Sequence, residues 1–232
     1  PGCDQIIIID KDKEKKTNAK ITFYNSDGGE TGACGNGSRC ISYFLMSEKK
    51  LNKSKINTES GILKAKLTGK TEVSVDMGIP NFDWKKIPLM KKMNHANVKI
   101  KTKHFGILHG YTLSVGNPHI IFFKDITFEL LKKIGPQIEH HEFFPERCNV
   151  TFAKIMNKQN IAVKVWERGA GLTLACGTAA CATAVAASKL GLTGKKVNIH
   201  FKNGTLHIEW AKDKHIIMTG SVSNIKNIIL KI

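Results

Sequence analysis

Two cysteines, each placed where a helix should begin, are the residues best suited to do chemistry in this chain. Residues 25–35 align without a gap on residues 167–177, and the two copies share Gly29/Gly171, Thr31/Thr173, Ala33/Ala175, Cys34/Cys176 and Gly35/Gly177. A helix N-terminus presents unpaired backbone N–H groups and the positive end of the peptide macrodipole. A cysteine there is expected to have its thiolate favoured and its pKa lowered. The small residues that follow, Gly35-Asn36-Gly37 and Gly177-Thr178, let a carboxylate approach the backbone N–H groups. Two such ends converging on one carboxylate would stabilise the charge that develops when its α-proton is removed. Opposed thiols would then take a proton from one face of the carbon and return one to the other, inverting it without a cofactor. A redox pair is the competing reading, since two facing thiols can also form a disulfide.

The elements that must position these cysteines repeat as well. Each copy is entered from an alternating, strand-like run, with Ile21 and Phe23 falling on Val163 and Val165, and each is followed by a helix, predicted over 39–51 and 179–190. The second helix is Ala-rich with hardly a polar face, which predicts burial on all sides, and Gly191 is suited to its C-terminal cap. Further strands are expected over 6–10, 20–24, 56–67, 72–77, 111–115, 120–123, 150–155, 161–166, 197–201 and 205–210, the last two flanking the Asn203-Gly204 hairpin signal. Residues 128–134 and 136–140 read as a short helical excursion, the Lys-rich stretch 85–103 as irregular, and 227–232 as a strand that crosses back to the first half. An internal repeat of this kind implies two halves related by a pseudo-two-fold axis, with the equivalent loops at their interface. The boundary falls at Met77-Gly78-Ile79-Pro80, dividing the chain into 1–78, rejoined by 223–232, and 79–222.

Composition narrows the alternatives. The formal charge is +17, yet only Arg39, Arg147 and Arg168 are arginines, and the lysine runs carry few aromatics. Nucleic-acid surfaces lean on arginine and stacking rings, so a solvated lysine surface is the better reading, with a basic nucleic-acid-binding module kept as an alternative. No apolar run nears the roughly 20 residues a membrane span requires, which predicts a soluble, cytoplasmic protein with no membrane partner. Cysteines six and five residues apart, 34/40 and 176/181, fall on different helix faces, and the histidines lack ligand spacing, so no metal site is expected. Cys40, Cys148 and Cys181 read as small core residues.

Taken together, Asn25-Ser26-Asp27-Gly28, Ala33-Cys34-Gly35-Asn36-Gly37-Ser38-Arg39-Cys40, Gly116-Asn117-Pro118-His119, Glu146-Arg147-Cys148-Asn149-Val150, Glu167-Arg168-Gly169-Ala170-Gly171 and Ala175-Cys176-Gly177-Thr178 resemble the diaminopimelate epimerase family over nearly the whole chain. The resemblance implies an α+β fold of two pseudo-symmetric domains, each with mixed strands wrapped around a central helix and the site in the cleft between them. It implies interconversion of LL- and meso-diaminopimelate in lysine and peptidoglycan precursor synthesis, with no pyridoxal phosphate or metal, by a homodimer. Carried onto this sequence, Cys34 and Cys176 become the acid/base pair, and the backbones of Gly35, Asn36, Gly177 and Thr178 hold the reacting carboxylate. Arg168 with Asn25, Asn117 and Asn149 grips the distal end, while Glu167 and Gln5 approach the ammonium groups. His119 is expected to make a structural hydrogen bond, and Arg39 a helix-surface or interdomain salt bridge. The family's opening strand and Gly-Asn-Asp-Phe-like turn have no counterpart here, so the chain is expected to begin after them, and Leu172 stands where many members have Glu. Proline and hydroxyproline racemases share the two-cysteine plan but tend to a Cys-Gly-His-Gly first motif, where this chain has Asn36.

Overall fold

The computed structural model describes residues 5–14, 16–25, 28–31, 34–59, 61–223 and 225–226, with the backbone alone for Asn25 and Thr31. In chain order the elements are β1 (Gln5–Asp10), β2 (Ala19–Asn25), β3 (Glu30–Thr31), α1 (Gly35–Glu48), β4 (Lys53–Thr58), β5 (Gly61–Leu67) and β6 (Glu72–Asp76). Then come β7 (Val98–Thr102), β8 (Gly106–Ser114), β9 (Pro118–Phe122), α2 (Phe128–Glu139), β10 (Asn149–Asn157), β11 (Asn160–Glu167) and β12 (Gly171–Thr173). The chain continues with α3 (Gly177–Lys189), β13 (Lys196–Phe201), β14 (Gly204–Trp210) and β15 (Ile216–Ser221), completing an α+β fold.

The strands join in the order β1-β2-β4-β5-β6-β15-β14-β13-β11-β10-β9-β8-β7. Up to β10 this order is a palindrome about the antiparallel β6–β15 pair, and the repeat explains why. The offset that carries Cys34 onto Cys176 also carries β2 onto β11, β3 onto β12, α1 onto α3, β4 onto β13 and β5 onto β14, each to within about two residues. In both copies the helix connects two parallel neighbours, β2 with β4 and β11 with β13. The pseudo-two-fold axis therefore runs between β6 and β15, where Ser74 and Thr219 sit opposite each other with their hydroxyls 2.6 Å apart.

Each helix lies inside its own wrap of strands. α1 packs on β4, β5 and β6, while α3 packs on β8, β9, β10, β13, β14 and β15. α3 is buried from Gly177 to Ala187, which its alanines permit because a small Cβ lets strands close in on every side. Gly191 follows the C-cap Leu190 at φ 68°, a left-handed conformation suited to glycine. One apolar core crosses the axis, joining Met46, Val73 and Val75 to Val163, Ala184, Ile208 and Met218. No helix among the described residues is long and apolar enough to cross a membrane.

Three expectations need correction. The first helix begins at Gly35 and ends at Glu48, so the whole Gly-Asn-Gly segment forms its first turn. The helical excursion is one continuous α2, with Pro136 inside it; Thr127 caps its start, and the buried stripe Leu131, Ile134 and Ile138 holds it across the proline. Within the lysine-rich stretch, Val98, Ile100 and Thr102 alternate with Lys99 and Lys101, so burial of the first set makes β7 regular. β15 also reaches the first half, pairing with β6; the crossing strand expected over 227–232 falls outside the described residues.

Because α3 is enclosed, enlarging it should strain the core. Ala182→Leu is expected to lower stability by about 1–3 kcal/mol in urea unfolding, while an unshifted midpoint would reveal unfilled space around the helix.

Candidate active site

The site is built from two helix starts with the same backbone shape. Cys34 caps α1 at φ −136° and ψ 104°, and Cys176 caps α3 at φ −143° and ψ 114°. Both are extended, and helix follows each of them directly. The two first turns touch: a Cβ built on Gly35 would lie 2.9 Å from the Gly177 Cα, and one built on Gly177 would lie 2.9 Å from the Gly35 Cα. Met218 fills the space beneath, with its side chain 2.9–3.2 Å from those same points. Only glycine at both positions permits the approach. It brings two sets of helix-start backbone N–H groups, those of Gly35-Asn36 and Gly177-Thr178, to one place. The Asn36 amide reaches across to the Ala175 carbonyl at 3.4 Å.

The thiols differ in their partners. Cys34 donates to the Gln5 side-chain oxygen at 2.7 Å and accepts from the Gly37 N–H at 3.1 Å. Cys176, 4% exposed, lies 3.5 Å from the Thr178 hydroxyl. Both are free thiols. Burial pushes Cys34 up to about 11; the Gly37 N–H opposes this and the Glu167 charge adds to it. Cys176 is also pushed well above the ordinary thiol range, by burial first and by Glu167 second, against the Thr178 hydroxyl and the Ala179 N–H. The expectation of lowered thiol pKa values is thus reversed, because desolvation of the thiolate outweighs the helix end. Glu167 acts on both cysteines, so its carboxylate lies in the region they share. Its own pKa is raised, by burial first, and hydrogen bonding from the Cys176 thiol opposes that rise.

On the other side, Asn117, Asn149 and Arg168 converge. The Asn117 amide donates to the Thr178 hydroxyl at 3.4 Å, and its oxygen accepts from His119 Nε2 at 2.8 Å. His119 is fully buried and pushed down to about 3, by burial and then by Arg168, so it is neutral and holds its proton on Nε2. Its Nδ1 has no hydrogen-bond partner among the described residues. Asn149 is spent on the backbone: its Nδ2 donates to the Pro118 carbonyl at 2.9 Å and its Oδ1 accepts from the Arg168 N–H at 3.1 Å. The Arg168 guanidinium donates to the Glu146 carbonyl at 3.2 Å. The backbone of Asn25 pairs with that of Gln5 in the β1–β2 ladder, and its side chain lies outside the described residues. A cavity of about 310 Å³ reaches Cys34 between Met77-Gly78-Ile79 and Ser114-Val115-Gly116, beside the turn that carries Asn117.

Residues the sequence left in the background also matter. Arg39 is 8% exposed and makes no ion pair among the described residues; it donates to the Ser221 carbonyl and to Asn36 Oδ1, each at 3.3 Å. It thus ties α1 to β15 in place of the expected salt bridge. Met218 carried no signal in the sequence. Its role follows from lying at the axis.

Comparison with known proteins bears on the family and the fold. The sequence profile described as diaminopimelate epimerase matches residues 1–82 and 111–225. The diaminopimelate epimerase of Pelagibacter ubique is 50% identical over 238 residues, covering 100% of this chain and 85% of that protein. That of Caulobacter vibrioides (strain NA1000 / CB15N) is 44% identical over 228 residues, covering 96% and 79%. In fold, the chain is similar to a probable proline racemase from Agrobacterium radiobacter K84, with a TM-score of 0.71 at 14% identity, covering 98% of this chain and 76% of the other. A hydroxyproline epimerase from Agrobacterium vitis gives a TM-score of 0.69 at 13% identity, covering 94% and 72%.

The raised pKa of Cys34 is open to measurement through alkylation. Its iodoacetamide reactivity should climb about tenfold per pH unit from neutrality and level off only near pH 11, where burial puts the thiol. A plateau below pH 8 would mean that the helix end prevails over burial. The glycine contact gives a second expectation: Gly35→Ala and Gly177→Ala should each destabilise by about 1–3 kcal/mol in thermal unfolding, and wild-type melting in both would show that the helix ends stand apart.

Proposed function

Since the chain belongs to the diaminopimelate epimerase family, we propose that it interconverts LL- and meso-diaminopimelate, with Cys34 and Cys176 as the acid/base pair. The observation that carries this reading is the contact of the two cysteine-capped helix starts at Gly35 and Gly177. A substrate carboxylate seated on the N–H groups of Gly35, Asn36, Gly177 and Thr178 would have its α-carbon between the two caps. There the macrodipoles and N–H donors favour the negative charge that builds up as the α-proton leaves.

In the proposed reaction one cysteine enters as thiolate and the other as thiol. The thiolate takes the α-proton, the electron pair is delocalised into the carboxylate, and the opposite thiol delivers its proton to the other face. Each turnover exchanges the two protonation states, and no proton or electron is left over. A strongly basic thiolate suits the weakly acidic α-proton, so the burial that raises both thiols serves the transfer once the thiolate has formed. The Glu167 charge raises the proton affinity of Cys176, which favours the thiol form from which that face delivers its proton. Gln5 orients Cys34.

The distal end of the substrate falls to Arg168, Asn117 and Asn25. Arg168 spends one N–H on the Glu146 carbonyl and has further guanidinium donors to offer a carboxylate. Asn149 contributes from behind, by fixing the Arg168 backbone. The same reading has the protein act in the cytoplasm as a homodimer, in lysine and peptidoglycan precursor synthesis, on a small-molecule substrate and without nucleic acid or cofactor.

In deuterated water, the α-proton of diaminopimelate should exchange as the isomers interconvert. Cys34→Ala and Cys176→Ala should each abolish epimerisation, and near-wild-type turnover by either would refute the two-base assignment. Arg168→Lys keeps the charge but loses the fork, and should lower kcat/KM by roughly tenfold or more. Equal wild-type turnover of proline and diaminopimelate would instead mark a proline-racemase-like specificity.

A further inference from the structure

Glu139 closes α2 and is 3% exposed. Among the described residues no lysine or arginine pairs with it, and its nearest basic group is the exposed His140, 4.0 Å away. A carboxylate buried in this way is unfavourable unless hydrogen bonds replace its water. Two do. Oε2 accepts from the Trp166 indole N–H at 2.7 Å, and Oε1 accepts from the Gly169 backbone N–H at 2.9 Å.

These donors stand on either side of Glu167 and Arg168. The segment between them is a tight turn, with the Ala170 N–H bonded to the Glu167 carbonyl at 3.2 Å and Gly169 at φ 73°. The Trp166 ring is seated against Gly135 of α2, where an added Cβ would lie 2.7 Å from it, and against Gly171 at 3.5 Å. One carboxylate therefore holds the turn at both shoulders, on a helix that is itself fixed by the Leu131, Ile134 and Ile138 stripe.

We infer that Glu139 is a positioning residue for the epimerase site, holding the Glu167–Arg168 turn so that both side chains face the substrate together. The inference rests on the proposed function for what the turn does, and on geometry alone for how it is held. The chemistry also accounts for the residue type. Both partners are donors, so both side-chain atoms at position 139 must accept. A carboxylate meets that requirement and an amide cannot, because its NH2 would be set against one of the donors.

Glu139→Gln, close to isosteric, tests this. We expect kcat/KM for diaminopimelate to fall on the order of tenfold to a hundredfold, with KM raised through Arg168 and kcat lowered through Glu167. A merely structural role would reduce the folded fraction, lowering the apparent kcat at unchanged KM. Two readings need no substrate: the emission of Trp166, read against the same variant in a Trp166→Phe background, and amide exchange at Gly169. In Glu139→Gln the first should shift and the second should quicken. Unchanged exchange at Gly169, or wild-type KM and kcat, would overturn the inference. If wild-type protein failed to exchange the α-proton of diaminopimelate, the function would be wrong, while Trp166 and Gly169 would still decide how the turn is held. Should Glu139→Gln not fold, Trp166→Phe keeps the ring on Gly135 and removes one of the two bonds; it should then raise KM and quicken Gly169 exchange, and failure of both would again overturn the inference.

Discussion

The structure hangs on the contact between the first turns of α1 and α3. Helix starts carry like partial charges, and bringing two of them together is unfavourable unless an anion is to lie between them. The fold accepts this arrangement by removing every side-chain atom from the contact, with glycine at 35 and 177 and Met218 as the floor. The palindromic sheet follows from the same requirement. With β6 and β15 paired about the axis, the equivalent helices point their starts at one another, and the cysteine caps come with them.

Around that contact, burial decides the protonation states. Helix N-termini alone would favour thiolates, yet both cysteines are pushed upward because water is excluded more effectively than the backbone donors compensate. The same exclusion keeps His119 neutral, which fixes it as a donor to Asn117 and, through Asn117, supports Thr178 at the α3 start.

Two buried charges hold the frame in register. Arg39 links the α1 start to β15 through carbonyl and amide acceptors, and Glu139 links the end of α2 to the turn before β12 through donors. Each is answered by oriented dipoles in place of an opposite charge. Dipoles have direction, so these bonds fix orientation as well as distance. That is what convergent ligands from distant parts of the chain require.

The sequence by itself determined the repeat, the two cysteine caps, the buried alanine helix and the family, because these reside in local spacing: glycine where the backbone must come close, alternation where one face is buried, and motifs carried on short loops. It also pointed to the residues that could meet a dicarboxylic amino acid. What only the tertiary structure decided depends on neighbours distant in sequence. The continuity of α2 across Pro136 rests on the apolar stripe it buries, and β7 emerged from a lysine run because its alternate residues had a core to face. The pairing of β15 with β6 is set by the partner edge, and no signal within Ile216–Ser221 names β6. The thiol pKa values reversed sign because desolvation depends on everything packed around a group, whereas the helix dipole is visible in a few residues of sequence. Glu139, an ordinary acidic residue at a helix end when read along the chain, became the holder of the Glu167–Arg168 turn only when folding brought Trp166 and Gly169 to its two oxygens.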